Sequence, residues 1–169
     1  MSHEEDENNR IQALRGYDLL DTPPEAEFDS LVAEAANLFS VPIALMSLVD
    51  ENRQWFKAAS GLDAKETPRS VSFCAHAICS DEIFSVSDTK NDPRFADNPL
   101  VTGEPNIRFY AGAPLQTLQG ERIGTICIID RKPHTNFSNK EEHLLRSLAS
   151  RAMETLERRK LLLNSDMRH

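Results

Sequence analysis

Residues 108–130, RFYAGAPLQTLQGERIGTICIID, hold the pattern that decides the fold class. Residues 108–115 contain two adjacent aromatic side chains and residues 122–130 are rich in isoleucine, so both runs favour extended chain. Between them, Gln119 and Gly120 supply a tight turn, since glycine reaches the positive φ angles that short hairpin loops require. The stretch therefore predicts two antiparallel strands joined as a β-hairpin.

A second hairpin is predicted nearer the N-terminus. Residues 41–49, VPIALMSLV, are apolar on both faces, which is typical of a central strand that is covered on both sides. Residues 50–52 supply the turn, and residues 53–59 form the next strand, in which alternation places Phe56 and Ala58 on the same face.

Helices are predicted at both ends of this sheet. Residues 22–25, TPPE, and residues 138–141, SNKE, each match a capping box, in which an N-terminal hydroxyl and a glutamate bond to opposite backbone amides. The first helix ends near Ser40, and the second runs past Lys160 because no proline or glycine follows. A shorter amphipathic helix precedes them and is interrupted near Gly16.

The middle of the chain, residues 60–107, has no long periodic pattern. We predict a short helix over residues 73–80, a strand over residues 84–86, and loops elsewhere. Irregular connections often carry function, so ligand-binding residues are expected there. Together with the hairpins and end helices, this order of elements predicts an α+β fold with one antiparallel sheet.

Several blocks of this sequence resemble a GAF domain, more narrowly the bacterial GAF sensor modules found with diguanylate cyclases and histidine kinases. The similarity extends from about residue 10 to about residue 160. It is carried by residues 19–25, 42–45, 53–57, 73–78, 109–115 and 124–130. We accordingly assign residues 1–9 to a disordered acidic tail, residues 10–163 to a single GAF domain with a long C-terminal helix, and residues 164–169 to a second tail.

The resemblance implies an architecture and a function. It implies a central antiparallel sheet of about six strands, with terminal helices on one face and a small-molecule pocket closed by irregular segments on the other. It also implies a non-enzymatic sensory or regulatory module that forms homodimers through its terminal helices. The signal would pass to an output domain such as a diguanylate cyclase or a histidine kinase, in the same polypeptide if the chain is a fragment.

An apolar stripe on the C-terminal helix is the candidate dimer seam. Its members recur at spacings of three, four and seven, which suits a coiled-coil contact, although covering the sheet requires the same spacing. The stripe consists of Leu145, Leu148, Ala152, Leu156 and Leu163.

Seven residues are candidates for the implied pocket, because they combine aromatic walls with groups that suit an anionic or polar ligand. The alternative is that the aromatic residues belong to the core and that the arginines pair with Asp88 or Asp130. No fixed cofactor is expected, and the ligand would be an unidentified small molecule. The candidates are Trp55, Arg69, Phe73, Cys74, His76, Arg108 and Tyr110.

The three cysteines, Cys74, Cys79 and Cys127, are odd in number and lack the spacing of a disulfide framework, which predicts reduced thiols and a cytoplasmic protein. A metal site is not expected, because Cys74 and His76 would point about 200° apart on a helix. The resemblance leaves one enzymatic alternative, a cysteine-based redox enzyme of the free methionine sulfoxide reductase type. The sequence pattern around the cysteines differs from that of those enzymes, so no catalytic residue is assigned.

Composition excludes several other classes of protein. The chain has 169 residues, of which 40% are hydrophobic, and a net charge of −8, which suits one domain with a single core. Nucleic acids and anionic membranes are not expected as partners, because the densest basic cluster, residues 158–160, is short and lies among leucines. The acidic N-terminus lacks the features of a secretory signal, and no apolar run approaches the length of a membrane span.

Overall fold

The computed structural model describes the backbone of residues 3–167 and the side chains of residues 4–164. The strands are β1 Ile43–Val49, β2 Arg53–Ser60, β3 Glu66–Pro68, β4 Phe84–Val86, β5 Phe109–Gln116 and β6 Arg122–Asp130. The helices are α1 His3–Arg15, α2 Ala26–Phe39, α3 Cys74–Ala77, α4 Pro99–Thr102 and α5 Asn139–Met167. Short 3-10 turns lie at Arg69–Val71 and Thr89–Asn91.

All six strands form one antiparallel sheet in the spatial order β3-β2-β1-β6-β5-β4. The two predicted hairpins, β1-β2 and β5-β6, are joined at the centre of the sheet by pairing of β1 with β6. The predicted α+β fold with a six-stranded antiparallel sheet is therefore confirmed.

The sheet separates two hydrophobic cores. The helix-side core lies between the sheet and α1, α2 and α5, and Met46 of β1 belongs to it. The pocket-side core lies on the opposite face, with α3, β4 and α4, and Leu45 of β1 belongs to it. Since successive residues of a strand point to opposite faces, a strand that is apolar at every position covers both cores.

A β-bulge in β2 alters the predicted alternation. Ser47 pairs with Phe56, whereas Met46 pairs with Ala58, so Lys57 is an extra residue on β2. Ala58 consequently packs in the helix-side core and Phe56 in the pocket-side core. The prediction that these two side chains share a face is wrong because of the bulge.

The two predicted helix starts have different outcomes. Ser138 and Glu141 form the predicted capping box, in which the Glu141 amide donates to Ser138 Oγ (3.1 Å) and the Ser138 amide donates to Glu141 Oε1 (3.2 Å). The other box is not formed, because α2 begins at Ala26 with Glu25 at the N-cap and no side-chain cap. The hydroxyl of Thr22 is engaged elsewhere: it donates to a backbone carbonyl and accepts a hydrogen bond from a buried lysine.

The predicted terminal tails are shorter in the structure. Residues 3–9 belong to α1 and residues 164–167 belong to α5, while the remaining residues of both tails lie outside the described part of the chain. A salt bridge between Arg10 and Glu7 (2.8 Å) supports the beginning of α1, because residues three apart lie on the same face of a helix. No helix within residues 3–167 has both the length and the apolar character that crossing a membrane requires.

The elements in the middle of the chain agree only in part with the prediction. The helix expected over residues 73–80 is the single turn α3, and the carbonyl of Ile78 just beyond it accepts a hydrogen bond from Arg122. The strand β4 has the predicted bounds. Asn98 lies in a region predicted as loop, and it caps α4 by accepting from the amide of Leu100 (2.8 Å).

Gly124 is required where β6 pairs closely with β1. A Cβ atom at this position would lie 2.0 Å from the Ser47 carbonyl oxygen. We expect Gly124→Ala to lower the free energy of unfolding by more than about 2 kcal/mol, because central-strand backbone would have to move. The control is Gly16→Ala, where the nearest atom would lie 3.4 Å from the new Cβ. Urea unfolding followed by circular dichroism measures both, and equal losses would contradict the steric argument.

Candidate ligand pocket on the sheet

A cavity of about 440 Å³ lies on the face of the sheet opposite α1, α2 and α5. Four neighbouring strands, β2, β1, β6 and β5, supply its floor, and irregular segments from the middle of the chain supply its walls. The floor residues are Gln54, Phe56, Ile43, Leu45, Cys127, Ile129 and Tyr110. The walls are residues 61–64, Thr67, Phe73, Cys74, Leu100, residues 104, 105 and 107, and Arg131.

The amide of Gln54 anchors one wall of the cavity to the sheet. Its Oε1 accepts from Ser47 Oγ (3.1 Å) and Ser72 Oγ (2.7 Å), while its Nε2 donates to Thr67 Oγ1 (2.6 Å). Buried amides are stable only when such bonds are made. The network ties β1, β2 and the segment before α3 together, and it leaves a mainly apolar interior.

Three charged side chains lie at the mouth of the cavity. Asp63, Glu104 and Arg131 line it and are exposed. Among the residues whose side chains are described, none is recorded as a hydrogen-bond or ion-pair partner of these three side chains. The mouth therefore presents two carboxylates and one guanidinium to an entering molecule. These three residues are not among the predicted pocket residues, because isolated charges in loops have no periodic signal in the sequence.

Of the seven predicted pocket residues, the structure brings three together at the cavity: Phe73, Cys74 and Tyr110. Trp55 does not line it, because alternation along β2 places this side chain in the helix-side core, on the face opposite Phe56. Trp55 is therefore a core residue, which is the alternative given for the aromatic residues in the sequence.

The two predicted arginines are held away from the cavity. Arg69 binds Glu7 Oε1 (2.5 Å) and donates to the carbonyl of Asp50 (3.1 Å), so it ties α1 to the β1-β2 turn. Arg108 donates to the carbonyls of Val101 (2.8 Å) and of its neighbouring residue Ile107 (3.1 Å). Neither arginine makes the ion pair that the alternative interpretation proposed.

His76 also lies outside the cavity and is exposed. Its ring meets Phe95 edge to face, with centroids 4.9 Å apart, and it lies near Phe84. Partial burial and the positive charge of Arg94 hold the pKa of His76 below its usual value. Among the residues that the structure describes, no group of three or more His, Cys, Asp or Glu side chains is arranged to hold a metal ion.

The sulfur of Cys74 lies within a buried polar cluster at the cavity floor. It is 3.2 Å from both Tyr110 Oη and Thr125 Oγ1. Cys127 lies two residues after Thr125 on the same face of β6 and also lines the cavity. The third thiol, Cys79, is exposed and donates to a backbone carbonyl within its own turn. None of the three cysteines is joined to another in a disulfide.

The predicted dimer stripe is largely internal. Leu145, Leu148, Ala152 and Leu156 are buried in the helix-side core, where they cover the sheet. The outer end of α5 is different, since Leu161 is 69% and Leu162 is 67% exposed, and Leu163 is 36% exposed. The described part of α5 therefore leaves its apolar surface open only beyond the sheet.

A chain of ion pairs connects the β2 bulge with α5. Lys57 has a fully buried side chain, and its Nζ lies 2.6 Å from Glu25 Oε2. Arg159 Nε lies 3.0 Å from Glu25 Oε1, and Arg159 also donates to the carbonyl of Tyr17 (2.6 Å). Burial raises the pKa of Glu25, but hydrogen bonds from Lys57 and Arg159 outweigh it, and the net shift is downward.

This arrangement matches a known family. Residues 23–156 match the family model of the GAF domain. The chain belongs to the GAF family. The resemblance inferred from the sequence is confirmed, and the cavity occupies the sheet face where that resemblance placed a pocket.

A cyclic di-GMP phosphodiesterase of Pseudomonas aeruginosa is 45% identical over 149 residues, which are 88% of this chain and 25% of that protein. The chain thus spans about a quarter of the length of this relative. The similarity corrects one prediction. We expected a non-enzymatic protein, whereas a relative at this level of identity is named as an enzyme.

Solved GAF structures share the fold. The GAF domain of a phosphoenolpyruvate-protein phosphotransferase from Acinetobacter has a TM-score of 0.64 at 18% identity, covering 97% of this chain and 99% of that one. A free methionine-R-sulfoxide reductase from Neisseria meningitidis, in complex with its substrate, has a TM-score of 0.67 at 16% identity, covering 94% and 88% of the two chains. At such identity the likeness shows the fold alone, so the reductase-type alternative stays a prediction.

The Glu7 contacts make the attachment of α1 dependent on pH. Hydrogen bonds from Arg10, opposed by partial burial and reinforced by Arg69, lower the pKa of Glu7 to about 2 from an unfolded value of 4.5. A lowered pKa means that the stabilisation is complete above the unfolded value and is lost as the pH falls toward about 2. Because Glu7 is about one-third exposed, we expect Glu7→Gln to cost about 1 kcal/mol or less near neutral pH.

Urea unfolding of both proteins between about pH 7 and about pH 3 tests this linkage. The difference between the native chain and Glu7→Gln should be constant near neutrality and shrink as the solution becomes acidic. Glu27→Gln is the matched control, because no contact of the exposed Glu27 side chain is recorded in the described part of the chain. A difference that grows at low pH would contradict the assignment.

Proposed function

We propose that this GAF domain regulates cyclic di-GMP turnover by binding a small molecule in the sheet cavity and passing that event to α5. The observation that carries the proposal is the cavity of about 440 Å³ on the sheet, which is connected to α5 through β2. The output we infer is a phosphodiesterase, on the basis of the relative named for that activity.

The cavity supports binding of a compact molecule with an apolar body. Its volume falls within the range of pockets that hold small molecules, which are typically about 300–1,000 Å³. Its interior walls are largely apolar, and their polar atoms are already hydrogen-bonded. The charges of Asp63, Glu104 and Arg131 at the mouth are available to orient a polar end.

The β2 bulge supports a route from the cavity to the helices. Phe56 lines the cavity, while the next residue, Lys57, reaches the opposite side of the sheet and pairs with Glu25. Glu25 in turn pairs with Arg159 on α5. A ligand that favours one position of β2 over another would therefore favour one position of α5, and this differential affinity is what regulation requires.

The outer end of α5 supports self-association as the means of relay. Leu161, Leu162 and Leu163 are exposed where α5 extends beyond the sheet. Apolar residues on one helix stabilise pairing with the same helix of a second copy. In this proposal the homodimer presents the two α5 ends, side by side, to the output domain.

The ligand proposal predicts opposite outcomes for two tryptophan substitutions. Leu62 lines the cavity and is half-buried, so Leu62→Trp should fill the cavity and abolish retention of a co-purified small molecule. Leu38→Trp is the matched control, because Leu38 is 48% exposed on α2. Native and denaturing mass spectrometry measure retention, and circular dichroism verifies that both variants are folded.

The same pair of variants tests the output. Introduced into the producing cell, Leu62→Trp should change the cyclic di-GMP concentration by about fivefold or more, the lower range of typical allosteric coupling, and Leu38→Trp should not. Loss of a bound molecule without a change in cyclic di-GMP would overturn the regulatory role. Absence of any bound molecule in the native protein, together with equal cyclic di-GMP in both variants, would overturn the pocket as the sensing site.

The dimer proposal is tested by charge at the end of α5. We expect Leu162→Glu to convert a homodimer into a folded monomer, because a carboxylate in an apolar helix pair is not solvated. Leu118→Glu is the control, since Leu118 is 84% exposed in the β5-β6 turn. Size-exclusion chromatography with light scattering reports the mass. A dimer that survives Leu162→Glu would exclude this end of α5 as the seam.

A further inference from the structure

Two cysteines meet at the floor of the cavity. Cys74 at the start of α3 and Cys127 in β6 both line it, although they are only 2% and 0% exposed to bulk solvent. The Cys74 sulfur lies 3.2 Å from Thr125 Oγ1, and Cys127 is two residues after Thr125 on the same face of β6. The cavity, with the exposed residues Asp63 and Glu104 at its mouth, is the side from which a small molecule would approach the two cysteines.

We propose that Cys74 and Cys127 form a peroxide-sensitive thiol pair, which closes to a disulfide when hydrogen peroxide enters the cavity. This role is separate from binding of a ligand and does not depend on the proposed regulation of cyclic di-GMP. It assigns a modification site to a cluster that otherwise has only a packing role.

The reaction consumes one peroxide and two thiols. The Cys74 thiolate attacks one peroxide oxygen, the O–O bond breaks, and a sulfenic acid forms as hydroxide leaves and takes up the proton that Cys74 released. Cys127 sulfur then attacks the sulfenic sulfur, so that an S–S bond forms and the S–O bond breaks. The departing hydroxide takes the Cys127 proton, and the products are one disulfide and two molecules of water.

The surroundings assign different roles to the two sulfurs. Burial opposes ionisation of Cys74, but hydrogen bonds from Cys127, Thr125 and Tyr110 outweigh it and bring the pKa of Cys74 below its ordinary value. The hydrogen bond with Cys74, together with burial, holds the pKa of Cys127 well above its ordinary value. Cys74 is also the sulfur that has two hydroxyl neighbours at 3.2 Å, and these can stabilise a thiolate. Since a thiolate is the attacking species, we assign the first attack to Cys74 and resolution of the intermediate to Cys127.

Peptide mapping tests the pair directly. The chain with Cys79→Ser, which removes the exposed thiol, is exposed to hydrogen peroxide, alkylated with N-ethylmaleimide under denaturing conditions and digested with trypsin. Cys74 then lies in the peptide of residues 70–90 and Cys127 in that of residues 123–131. We expect these two peptides to be recovered mainly as one disulfide-linked species that dithiothreitol separates.

A second variant isolates the first step. With Cys127→Ser added, oxidation should stop at the Cys74 sulfenic acid, which dimedone captures. The same mapping on the unaltered chain, with fragment ions separating Cys74 from Cys79, gives the answer without any substitution. Recovery of Cys74 and Cys127 as alkylated thiols, under peroxide exposure that oxidises Cys79, would overturn the proposal. Linkage through Cys79 alone would also overturn it.

Discussion

The pairing of β1 with β6 is the constraint on which the rest of the structure depends. It joins the two hairpins through residues that are about 80 positions apart in the chain, and such non-local pairing has to offset the entropy of closing a long loop. The backbones approach so closely at Gly124 and Ser47 that no side chain fits between them. Because both strands are buried on both faces, this pairing creates the helix-side core and the pocket-side core together.

The two cores have different consequences for the molecule. On the helix side, α2 and α5 cover the sheet with closely packed aliphatic side chains. On the pocket side, short elements and loops cover the sheet incompletely, which leaves the cavity. Long helices bury a continuous apolar stripe against a sheet, whereas single turns such as α3 and α4 cannot. A cavity therefore forms on the face of the sheet that α3 and α4 cover.

Ion pairs link the β2 bulge, which lies beside the cavity, to the helices on the other face of the sheet. Lys57 can be buried because Glu25, the Thr22 hydroxyl and the Pro23 carbonyl solvate its ammonium group, since an unpaired buried charge would be strongly destabilising. The bulge that places Lys57 there lies directly beside the cavity residue Phe56. The bulge in β2 therefore places a floor residue of the cavity on one face of the sheet and a contact with the helices on the other.

The sequence by itself determined the two hairpins, β4, the helix that ends near Ser40 and the start of α5, because these depend on periodicity and on local capping, whereas β3 formed in a segment predicted as loop. Phe73, Cys74 and Tyr110 were predicted from the segments that resemble the GAF family, and all three line the cavity. Tertiary structure alone decided the rest. Trp55, Arg69, His76 and Arg108 lie close in sequence to pocket segments. The face of a strand, an aromatic neighbour, or a carbonyl or carboxylate partner elsewhere nevertheless holds each of them away. The three charged residues at the mouth, and Cys74 with Cys127, come together only because loops and strands that are distant in sequence pack against one another. No local sequence pattern predicts such contacts.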